Sequence, residues 1–328
     1  MKAVVYTAYG PPERLHLAEV ATPTPADDEV LIKVRAVSVN RSDWEQLTGK
    51  PLYGRFHGLR KPTRGSRILG SDIAGRVVAA GSKQRQFHVG DDVVGEMWLY
   101  HGGFAEYVRT RAEGWALKPP QLTFEQAAAI PQAGVIALQG IRTKGQVQPG
   151  QHVLINGAGG GAGSFAVQLA KLDGAEVTGV DSASKLDFVR SLGADHVLDY
   201  TRDDFTKAGQ QYDLILDVVA QRSVFAYQRA LKPTGTYFAV GGSVATLCQI
   251  LFLGPWVRRA TGKHVRILGV QRTHEDLLAI TELCAAGAIV PVIDRVYPLR
   301  EAPEALRSLG AGRVKGKVVI TVEESTFT

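Results

Sequence analysis

The pattern of apolar and polar positions along the chain changes near residue 120. Before that point, short runs rich in β-branched residues alternate with glycine, proline and polar turns, and they cover 29–39, 73–81, 91–98 and 103–110. Short strands separated by frequent turns are typical of a compact β-barrel rather than of a parallel sheet. The opening stretch, MKAVVYTAYGPP, predicts one further strand and a turn.

Beyond Thr123, helical patterns alternate with short apolar runs. These runs predict strands at 152–157, 175–181, 212–219, 235–242 and 265–270. Apolar strands that alternate with helices are typical of a doubly wound parallel sheet, whose strands are buried on both faces. A helix is predicted near 274–286, after which 290–299 and 316–322 return to β texture. We therefore expect the C-terminal segment to rejoin the first domain.

The two textures together predict an α/β protein with two domains. A chain of 328 residues that is 45% hydrophobic and 21% charged can bury two separate cores. We place the β-barrel domain in 1–122 and 264–328, and the parallel-sheet domain in 123–263.

A glycine-rich stretch, INGAGGGAGSFAVQLAK, directly follows one of the predicted strands and opens a helix. Ala158, Gly160 and Gly163 form an A-x-G-x-x-G variant of the dinucleotide fingerprint, in which small residues permit a tight turn, a close approach to pyrophosphate and close helix packing. Gly161 and Ala162 lie at the helix N-terminus, where backbone amides face phosphate groups. This context predicts a dinucleotide-binding turn rather than a linker.

Composition limits the cellular compartments and the binding partners that we expect for this chain. The only cysteines, Cys248 and Cys284, are too few for a disulfide framework or a four-cysteine zinc site. The amino terminus lacks the apolar core and cleavage site of a secretory signal, which favours the cytoplasm. The uncharged run 236–253 is interrupted by two glycines and a serine, so we expect no membrane partner.

Positive charge is in excess, with a net charge of +6 and clusters at 60–67 and 258–266. Such clusters suit nucleic acid, the phosphates of a cofactor, or no ligand at all. Solvated surface charge is the interpretation that we favour, and nucleic acid is not the partner that we expect.

A resemblance to a known superfamily rests on motifs that occur in the same order over nearly the whole chain: EVLIKVRAVSVNRSDW, LGSDIAGRVVAAG, FHVGDDVVG, GGFAEYV, AAAIPQAGVIALQG, VQPGQHVLINGAGGGAGSFAVQLAK, LGADHVLDY and KGKVVITV. In these motifs the chain resembles the medium-chain dehydrogenase/reductase superfamily, and within it the zinc-independent quinone oxidoreductase-like branch. The resemblance implies a GroES-like β-barrel substrate domain, a Rossmann-like cofactor domain inserted into it, and an active site in the cleft between them. It also implies a homodimer through the edge of the cofactor-domain sheet.

The resemblance also shows what the chain has lost. Zinc alcohol dehydrogenases of the same superfamily bind their catalytic metal through Cys, His and Cys, and the matching positions here are Asn40, Ser71 and Ala133. Neither asparagine nor alanine supplies a thiolate, and the short stretch GEMWLYHGGFAEY leaves no room for a structural zinc lobe. We therefore expect no zinc.

Without a Lewis acid, an alcohol is hard to oxidise, whereas an electron-poor acceptor takes hydride directly. A quinone or the activated C=C of an α,β-unsaturated carbonyl is such an acceptor, and hydrogen-bond donors can hold the oxyanion that results. The sequence thus predicts an NAD(P)H-dependent reductase of a small-molecule quinone or enone.

The predicted catalytic residues are Asn40, Tyr53 and His57. Asn40 follows a strand at a position where family members have an asparagine near the nicotinamide and the substrate, so it could orient either one, or it could simply be a turn residue. Tyr53 and His57 lie in a segment that rims the substrate pocket in the family, and either could donate a proton, as could water. Ser42 and Asp43 are expected to satisfy local backbone amides.

The predicted cofactor contacts extend beyond the glycine turn. Gly241, Gly242 and Ser243 end a strand where the family backbone approaches the nicotinamide, although an ordinary strand-ending turn is the alternative. Asp181 ends the second strand of the domain, where a carboxylate accepts from both ribose hydroxyls of NAD and repels the 2′-phosphate of NADP.

Three further residues favour NADPH instead of NADH. Ser182, Lys185 and Tyr200 match the positions that bind this phosphate in NADPH-using quinone oxidoreductases. A nearby lysine can cancel much of the repulsion from a carboxylate, so the choice between NADH and NADPH stays open.

Two alternatives remain. One is a cofactor-binding protein without turnover, with a structural or RNA-binding role, which the basic clusters keep open. The other is a zinc alcohol dehydrogenase with unusual ligands. The physiological substrate is not predicted, because the pocket depends on 45–65 and 243–263, which periodicity does not resolve and which we expect to be loops.

Overall fold

The structure, a computed structural model, describes residues 1–51, 67–97 and 102–322. Their strands, in chain order, are β1 Lys2–Tyr6, β2 His16–Glu19, β3 Glu29–Val39, β4 Arg67–Ile68, β5 Asp72–Ala80, β6 Asp92–Glu96, β7 Tyr107–Arg111, β8 Trp115–Leu117, β9 His152–Asn156, β10 Glu176–Asp181, β11 His196–Asp199, β12 Tyr212–Asp217, β13 Leu231–Ala239, β14 His264–Ile267, β15 Ile293–Pro298 and β16 Lys317–Thr321. The α-helices are α1 Arg41–Thr48, α2 Phe124–Ala128, α3 Pro131–Leu138, α4 Gly161–Leu172, α5 Leu186–Ser191, α6 Val224–Arg229, α7 Val244–Thr261, α8 His274–Ala285 and α9 Ala302–Gly310.

The chain divides into two compact units. Unit 1 contains the described parts of Met1–Gln132, Arg272–Gly287 and Pro291–Thr328, and unit 2 contains Ala133–Gln271 and Ala288–Val290. Unit 1 is rich in β-strands, and unit 2 alternates strands with helices. The sequence-based prediction of a β-rich part and a doubly wound part is therefore confirmed.

Unit 1 is built on two sheets. The larger has the strand order β15-β16-β3-β5-β6-β8, with β7 also paired to β3, and the smaller has the order β2-β1-β4. Strand β3 alternates buried and half-buried residues over most of its length, so one of its faces packs on the core. The antiparallel pairing of Val39 with Val318 sets Asn40, the residue after β3, beside Lys317 at the start of β16.

Unit 2 is built on one parallel sheet of six strands with the order β11-β10-β9-β12-β13-β14. Counted from β9, this is the 3-2-1-4-5-6 order of the dinucleotide-binding fold. Its strands β9, β10 and β12 are almost entirely buried, as their uniform apolar character predicts. The chain reverses its winding between β9 and β12, which is where ligands bind in folds of this order.

The domain boundaries differ from those predicted. Helix α2 falls in unit 1, although it was placed in the parallel-sheet domain. Strand β14 pairs in parallel with β13, so it belongs to unit 2, although the predicted boundary lay just before it. The unit to which a strand belongs is decided by the strands with which it pairs, and this pairing is not visible in the composition of the strand itself.

The segment 243–263 is not the loop that the sequence suggested, because 244–261 forms helix α7. No charged residue occurs in the helix before Arg258, and apolar residues occur on all its sides. An amphipathic helix is recognised because polar positions recur every third or fourth residue. This helix has no such repeat, so the sequence pattern does not reveal it. Strand β11 was also missed, since a four-residue strand at the edge of a sheet leaves little pattern to detect.

Candidate functional site

The glycine turn connects β9 to α4. Gly157 has φ +82°, and a Cβ there would lie 2.4 Å from the Val218 Cγ2 atom, so a side chain is excluded on two grounds. The amides of Gly157 and Ala158 donate to the Val180 carbonyl at 2.9 and 3.1 Å. The turn is thereby tied to the end of the neighbouring strand β10.

Two glycines of the fingerprint have different surroundings. A Cβ on Gly163 would lie 2.1 Å from the Gly157 carbonyl oxygen, so this glycine lets the helix approach the turn closely. A Cβ on Gly160 would meet only the Gly157 oxygen, at 3.3 Å, and otherwise open space. Gly160 is the N-cap of the twelve-residue helix α4, whose first amides have no intrahelical acceptor. Open space beside free amides fits a pyrophosphate group.

Asp181 is held against this turn. Its Oδ2 atom accepts from the Gly159 amide at 2.8 Å, and its Oδ1 atom accepts from the Ser182 amide at 2.8 Å. Lys185 Nζ lies 3.8 Å from the Asp181 Oδ1 atom, and both side chains are at least nine-tenths buried. A Cβ on Gly159 would contact both side chains at 3.0 to 3.1 Å. The carboxylate and the ammonium therefore line the turn together.

The other predicted phosphate contacts lie at the same place. The Tyr200 amide donates to the Asp181 carbonyl at 3.2 Å, while the Tyr200 ring is exposed. The Ser182 hydroxyl lies 3.2 Å from the Ser184 hydroxyl. Tertiary structure thus groups Asp181, Ser182, Lys185 and Tyr200 beside the glycine turn, while their roles in binding stay predictions.

Gly241, Gly242 and Ser243 follow β13. A Cβ on Gly242 would lie 2.1 Å from the Ala220 carbonyl oxygen, so this glycine allows two backbones to pair closely. Ser243 is the N-cap of α7, and its hydroxyl oxygen accepts from the Thr246 amide at 3.1 Å. These contacts account for both residues without a ligand, and the nicotinamide contact predicted for the segment stays a prediction.

A cluster of buried polar side chains lies where the winding of the sheet reverses. The Asn156 side chain donates through Nδ2 to Asp217 Oδ1 at 2.8 Å, and the Tyr237 hydroxyl donates to Asp217 Oδ2 at 2.8 Å. Burial raises the pKa of Asp217, and burial together with the Asp217 charge raises the pKa of Tyr227 to about 12. Our sequence reasoning missed this group, although polar residues at the ends of the apolar runs HVLIN and YDLILD were a usable signal.

In unit 1, Asn40 is buried and is the N-cap of α1. Its Nδ2 atom donates to Ser71 Oγ at 3.2 Å, and its Oδ1 atom accepts from Lys317 Nζ. Both ends of the side-chain amide are therefore held. As predicted, Asp43 satisfies backbone amides, those of Asn40 at 2.8 Å and Gly70 at 2.9 Å.

Lys317 also faces Asp72. The Lys317 Nζ atom lies 3.6 Å from Asp72 Oδ2, and these two side chains are 3% and 0% exposed. Asp72 Oδ2 also accepts from the Gln132 amide at 3.1 Å and from the Ser38 hydroxyl at 3.3 Å. Burial raises the pKa of Asp72 to about 6 against the opposing effect of the ammonium, and burial lowers the pKa of Lys317. Lys317 was not predicted as a site residue.

The positions that match zinc ligands do not fit zinc. Asn40 and Ser71 are joined to each other, and the ammonium group of Lys317 already donates to Asn40. Ala133 is buried and has no donor atom. In the ranges 1–51, 67–97 and 102–322, no cluster of three or more His, Cys, Asp or Glu residues is placed to hold a metal ion. Tyr53 and His57 lie outside the described residues.

A broad open depression of about 1000 Å³ lies elsewhere in unit 2. It lies at the amino ends of β9 and β10, and its lining includes Pro149, Arg142 and Asp173. Ligands of such sheets bind at the carboxyl ends, which form the opposite edge. The Arg142 and Asp173 side chains are already paired at 2.6 Å, so we assign no role in the reaction to this depression.

Comparison with known proteins decides the family. A family profile described as an alcohol dehydrogenase GroES-like domain matches residues 26–121, and one described as a zinc-binding dehydrogenase matches residues 192–320. A 2-methylene-furan-3-one reductase of Solanum lycopersicum is 33% identical over 98% of this chain and 79% of its own length. The chain belongs to the medium-chain dehydrogenase/reductase superfamily.

Two further relatives locate it within that superfamily. A chloroplastic quinone-oxidoreductase homolog of Spinacia oleracea is 30% identical, and the match covers 98% of each sequence. The solved quinone oxidoreductase of Coxiella burnetii is 30% identical with a TM-score of 0.89, covering 98% of this chain and 99% of the other. This medium-chain dehydrogenase/reductase is therefore a member of the quinone oxidoreductase-like branch, and the predicted GroES-like and Rossmann-like domains are confirmed.

The comparisons leave the compartment open. The spinach relative is called chloroplastic, so a cytoplasmic location stays a prediction for this medium-chain dehydrogenase/reductase. None of its described helices is both long enough and apolar enough to span a bilayer.

Proposed function

We propose that the chain is a zinc-independent NAD(P)H-dependent oxidoreductase that reduces a quinone or the activated C=C of an α,β-unsaturated carbonyl. The observation that carries the proposal is the glycine turn lined by Asp181 and Lys185. The names of the relatives support the acceptor class, since one acts on a methylene-furanone and others on quinones. Both compounds contain a carbon–carbon double bond conjugated to a carbonyl group.

The residues of unit 2 fit the dinucleotide. The first amides of α4 face the open space beside Gly160, where they can donate to pyrophosphate oxygens. Asp181 lies at the end of β10, where a carboxylate accepts from the hydroxyls of the adenosine ribose. When bound, the reduced nicotinamide supplies the hydride.

Asn40 supplies a fixed hydrogen-bond donor in unit 1. Its Oδ1 atom is held by the Lys317 ammonium, which prevents the amide from flipping, because a flip would set two donors against each other. One N–H of Nδ2 donates to Ser71, and a hydrogen bond from Asn40 also acts to lower the pKa of Asp72. We propose that the Asn40 amide, held in this way, orients the nicotinamide or the acceptor, and that Tyr53, His57 or water supplies the proton.

The choice of cofactor follows from the Asp181–Lys185 pair. The Asp181 carboxylate lies 3.8 Å from the Lys185 ammonium, so the repulsion of a 2′-phosphate is partly offset. We propose that the chain accepts both NADH and NADPH, with Asp181 binding the ribose hydroxyls of NADH and with Lys185, Ser182 and Tyr200 binding the phosphate of NADPH.

The first experiment is an oxidation assay of NADH and NADPH over a panel of quinones and enones. We expect turnover with at least one acceptor of either class, no stoichiometric zinc in the purified protein, and unchanged rates with EDTA. Activity that is lost with EDTA and restored by zinc would overturn the metal-free mechanism. Cofactor binding without turnover on any acceptor would favour a binding protein instead.

The second experiment separates the glycine turn from the fold. Gly160→Val should remove NADH and NADPH binding with little change in thermal stability, because its side chain enters open space that the pyrophosphate needs. Gly163→Ala is the matched control: its methyl group meets backbone atoms at 2.1 Å, so it should lower stability first. Unchanged affinity of Gly160→Val for both cofactors would show that the turn has only a structural role.

We also propose a homodimer through β14, which is an edge strand of the sheet in unit 2. An unpaired strand edge can pair with the same edge of a second copy. Light scattering on the purified protein tests the proposal, and a monomer at micromolar concentration would contradict it.

A further inference from the structure

Helix α7 presents an exposed apolar face. Its buried residues are Thr246, Ile250, Gly254 and Val257, which lie along one side of the helix. The opposite side carries apolar residues that are exposed: Val244, Cys248, Leu251, Phe252 and Trp256. Phe252 is 75% exposed, Leu251 61% and Trp256 59%. We call this side the exposed face of α7.

A neighbouring helix extends this face. Phe225 of α6 is 42% exposed, and its ring meets the Trp256 ring edge-on with 6.2 Å between the ring centroids. Large side chains that are exposed singly need no explanation, but a contiguous group of them marks an interaction surface. The exposed face of α7 is such a group.

Positive charge adjoins the face without negative charge to balance it. Arg258 and Arg259 lie exposed in the last turn of α7, and neither has a carboxylate partner among the described residues. Burial lowers the pKa of His264, and Arg258 and Arg266 lower it further, so their charges lie close together. No Asp or Glu occurs anywhere in 218–274.

This charge distribution separates the candidate occupants. A two-fold contact made by this face itself would set Arg258 and Arg259 against the same residues of a second copy, so we assign the homodimer contact to the edge of β14 and not to this face. RNA would account for the arginines, but it leaves aliphatic Val244 and Leu251 without a partner. An exposed apolar strip with a tryptophan and adjoining arginines fits the interface of an anionic bilayer, where aromatic rings lie at the headgroup level and basic side chains meet anionic lipids.

We propose that α7 docks the chain on the surface of an anionic membrane, with Leu251, Phe252 and Trp256 entering the headgroup region and Arg258 and Arg259 contacting lipid phosphates. The helix lies on the membrane and does not cross it. The sequence predicts no membrane partner, because the uncharged run 236–253 is interrupted by glycines and does not resemble a segment that spans a bilayer. That argument does not apply to a helix that lies on the surface of a membrane. Which of its residues are exposed is decided by packing on the rest of unit 2.

The test is sedimentation of the full chain with vesicles. We expect binding to vesicles of phosphatidylcholine and phosphatidylserine at about two to one, weaker binding at high salt, and little binding to pure phosphatidylcholine. An environment-sensitive fluorophore on Cys248 should shift to shorter wavelength with the anionic vesicles only. Cys284 is buried, so it leaves Cys248 as the accessible thiol.

Two variants address the two parts of the surface. Phe252→Asp with Trp256→Asp should reduce vesicle binding by about tenfold or more, and Arg258→Glu with Arg259→Glu should do the same at low salt. The matched controls are Val89→Asp, at a 65% exposed apolar residue of unit 1, and Arg313→Glu with Lys315→Glu. All variants should keep their thermal stability and their turnover of a water-soluble acceptor, so loss of docking is distinct from loss of the reductase.

Several results would overturn the proposal. Wild-type protein that stays in solution with anionic vesicles, or face variants that sediment like wild type, would exclude docking through α7. A wild-type dimer that Trp256→Asp converts to a monomer would assign the face to a second copy. RNA binding that depends on Arg258 and Arg259, without vesicle binding, would assign the surface to nucleic acid.

Discussion

Each unit of the molecule contains a buried aspartate paired with a lysine, and the two pairs have similar dimensions. The Asp72 and Lys317 side chains are 3.6 Å apart in unit 1, and the Asp181 and Lys185 side chains are 3.8 Å apart in unit 2. They differ in the groups around them. Asp72 and Lys317 are enclosed by side chains on several strands, whereas Asp181 is bound mainly by two backbone amides at the edge of an open turn.

The difference shows how similar chemistry serves different purposes. Lys317 has two acceptors, Asn40 and Asp72, and its side chain is 3% exposed, so it can orient the Asn40 amide. Lys185 lies against the turn that is expected to bind a dinucleotide, so a phosphate can join or replace its carboxylate partner. The first pair supports a site, and the second belongs to one.

The largest effect is expected from Lys317→Met. It leaves the Asp72 carboxylate buried without its counter-charge, which should lower the free energy of unfolding by about 3 to 5 kcal/mol in urea titrations at pH 8. Adding Asp72→Asn should recover much of the loss, since the uncompensated charge is then absent. A loss below about 1 kcal/mol would mean that the pair is not the buried support that we describe.

The pH dependence of stability gives the second test. Burial raises the pKa of Asp72 to about 6 from an unfolded value of 3.8, so between these values the folded state holds a proton that the unfolded state has released. The contribution of Asp72 is present below pH 4 and is lost as the pH rises through 6, by up to about 3 kcal/mol. The difference in unfolding free energy between wild type and Asp72→Asn should therefore fall over this range.

The comparison with Asp72→Asn is needed because other carboxylates change the stability with pH in the opposite direction to Asp72. Hydrogen bonds and nearby cations lower the pKa values of several carboxyls, whose contributions are lost as the pH falls. These contributions are shared by wild type and variant, so they cancel in the difference. A difference that stays flat from pH 4 to 7 would show that Asp72 keeps an ordinary pKa.

Asp181→Asn should shift the cofactor preference. The amide has nearly the shape of the carboxylate and removes the charge that opposes a 2′-phosphate, which leaves Lys185 free to bind it. Only the amide oxygen can accept, so one of the Gly159 and Ser182 amides loses its acceptor. We expect the ratio of kcat/KM for NADPH to that for NADH to rise by about 10- to 100-fold, equivalent to about 1.4 to 2.7 kcal/mol. The gain should shrink at high salt, because partly exposed charges are screened over about 8 to 10 Å.

Asp199→Asn is the control for that experiment. Asp199 ends the adjacent strand β11 opposite Asp181 in the strand register, but its carboxylate accepts from Thr201 rather than from the glycine turn. It should leave the cofactor ratio unchanged within about twofold. Equal shifts in both variants would assign the effect to general surface charge, and no shift in Asp181→Asn would favour the phosphate interpretation of Lys185 and Tyr200.

Lys185→Met should have the smallest effect on stability, about 1 kcal/mol or less, because Asp181 keeps its two backbone donors. We expect KM for NADPH to rise more than KM for NADH. This variant and Lys317→Met make the same chemical change, so measuring both in urea compares the two pairs directly. Equal losses of stability would contradict the distinction between them.

Much of the site could be predicted because its signals are local. The glycine turn, its preceding strand and its helix are contiguous in the chain, and Asp181 follows at the spacing set by one helix and one strand. Asn40 could be found because the resemblance to the family places an asparagine at this position, directly after a long strand. Lys317 could not be found in the same way, because 277 residues separate it from Asn40 and only the antiparallel pairing of β3 with β16 joins them.

The amino-acid sequence by itself determined the fold class and the dinucleotide turn, because each depends on local residue patterns, and its resemblance to a superfamily implied the loss of thiolate ligands. Tertiary structure alone decided that an ammonium holds Asn40 and that α7 turns an apolar side outward. These features depend on which distant strands pair and which side of an apolar helix finds a partner. Where a helix is apolar all round, its sequence cannot say which side is left exposed.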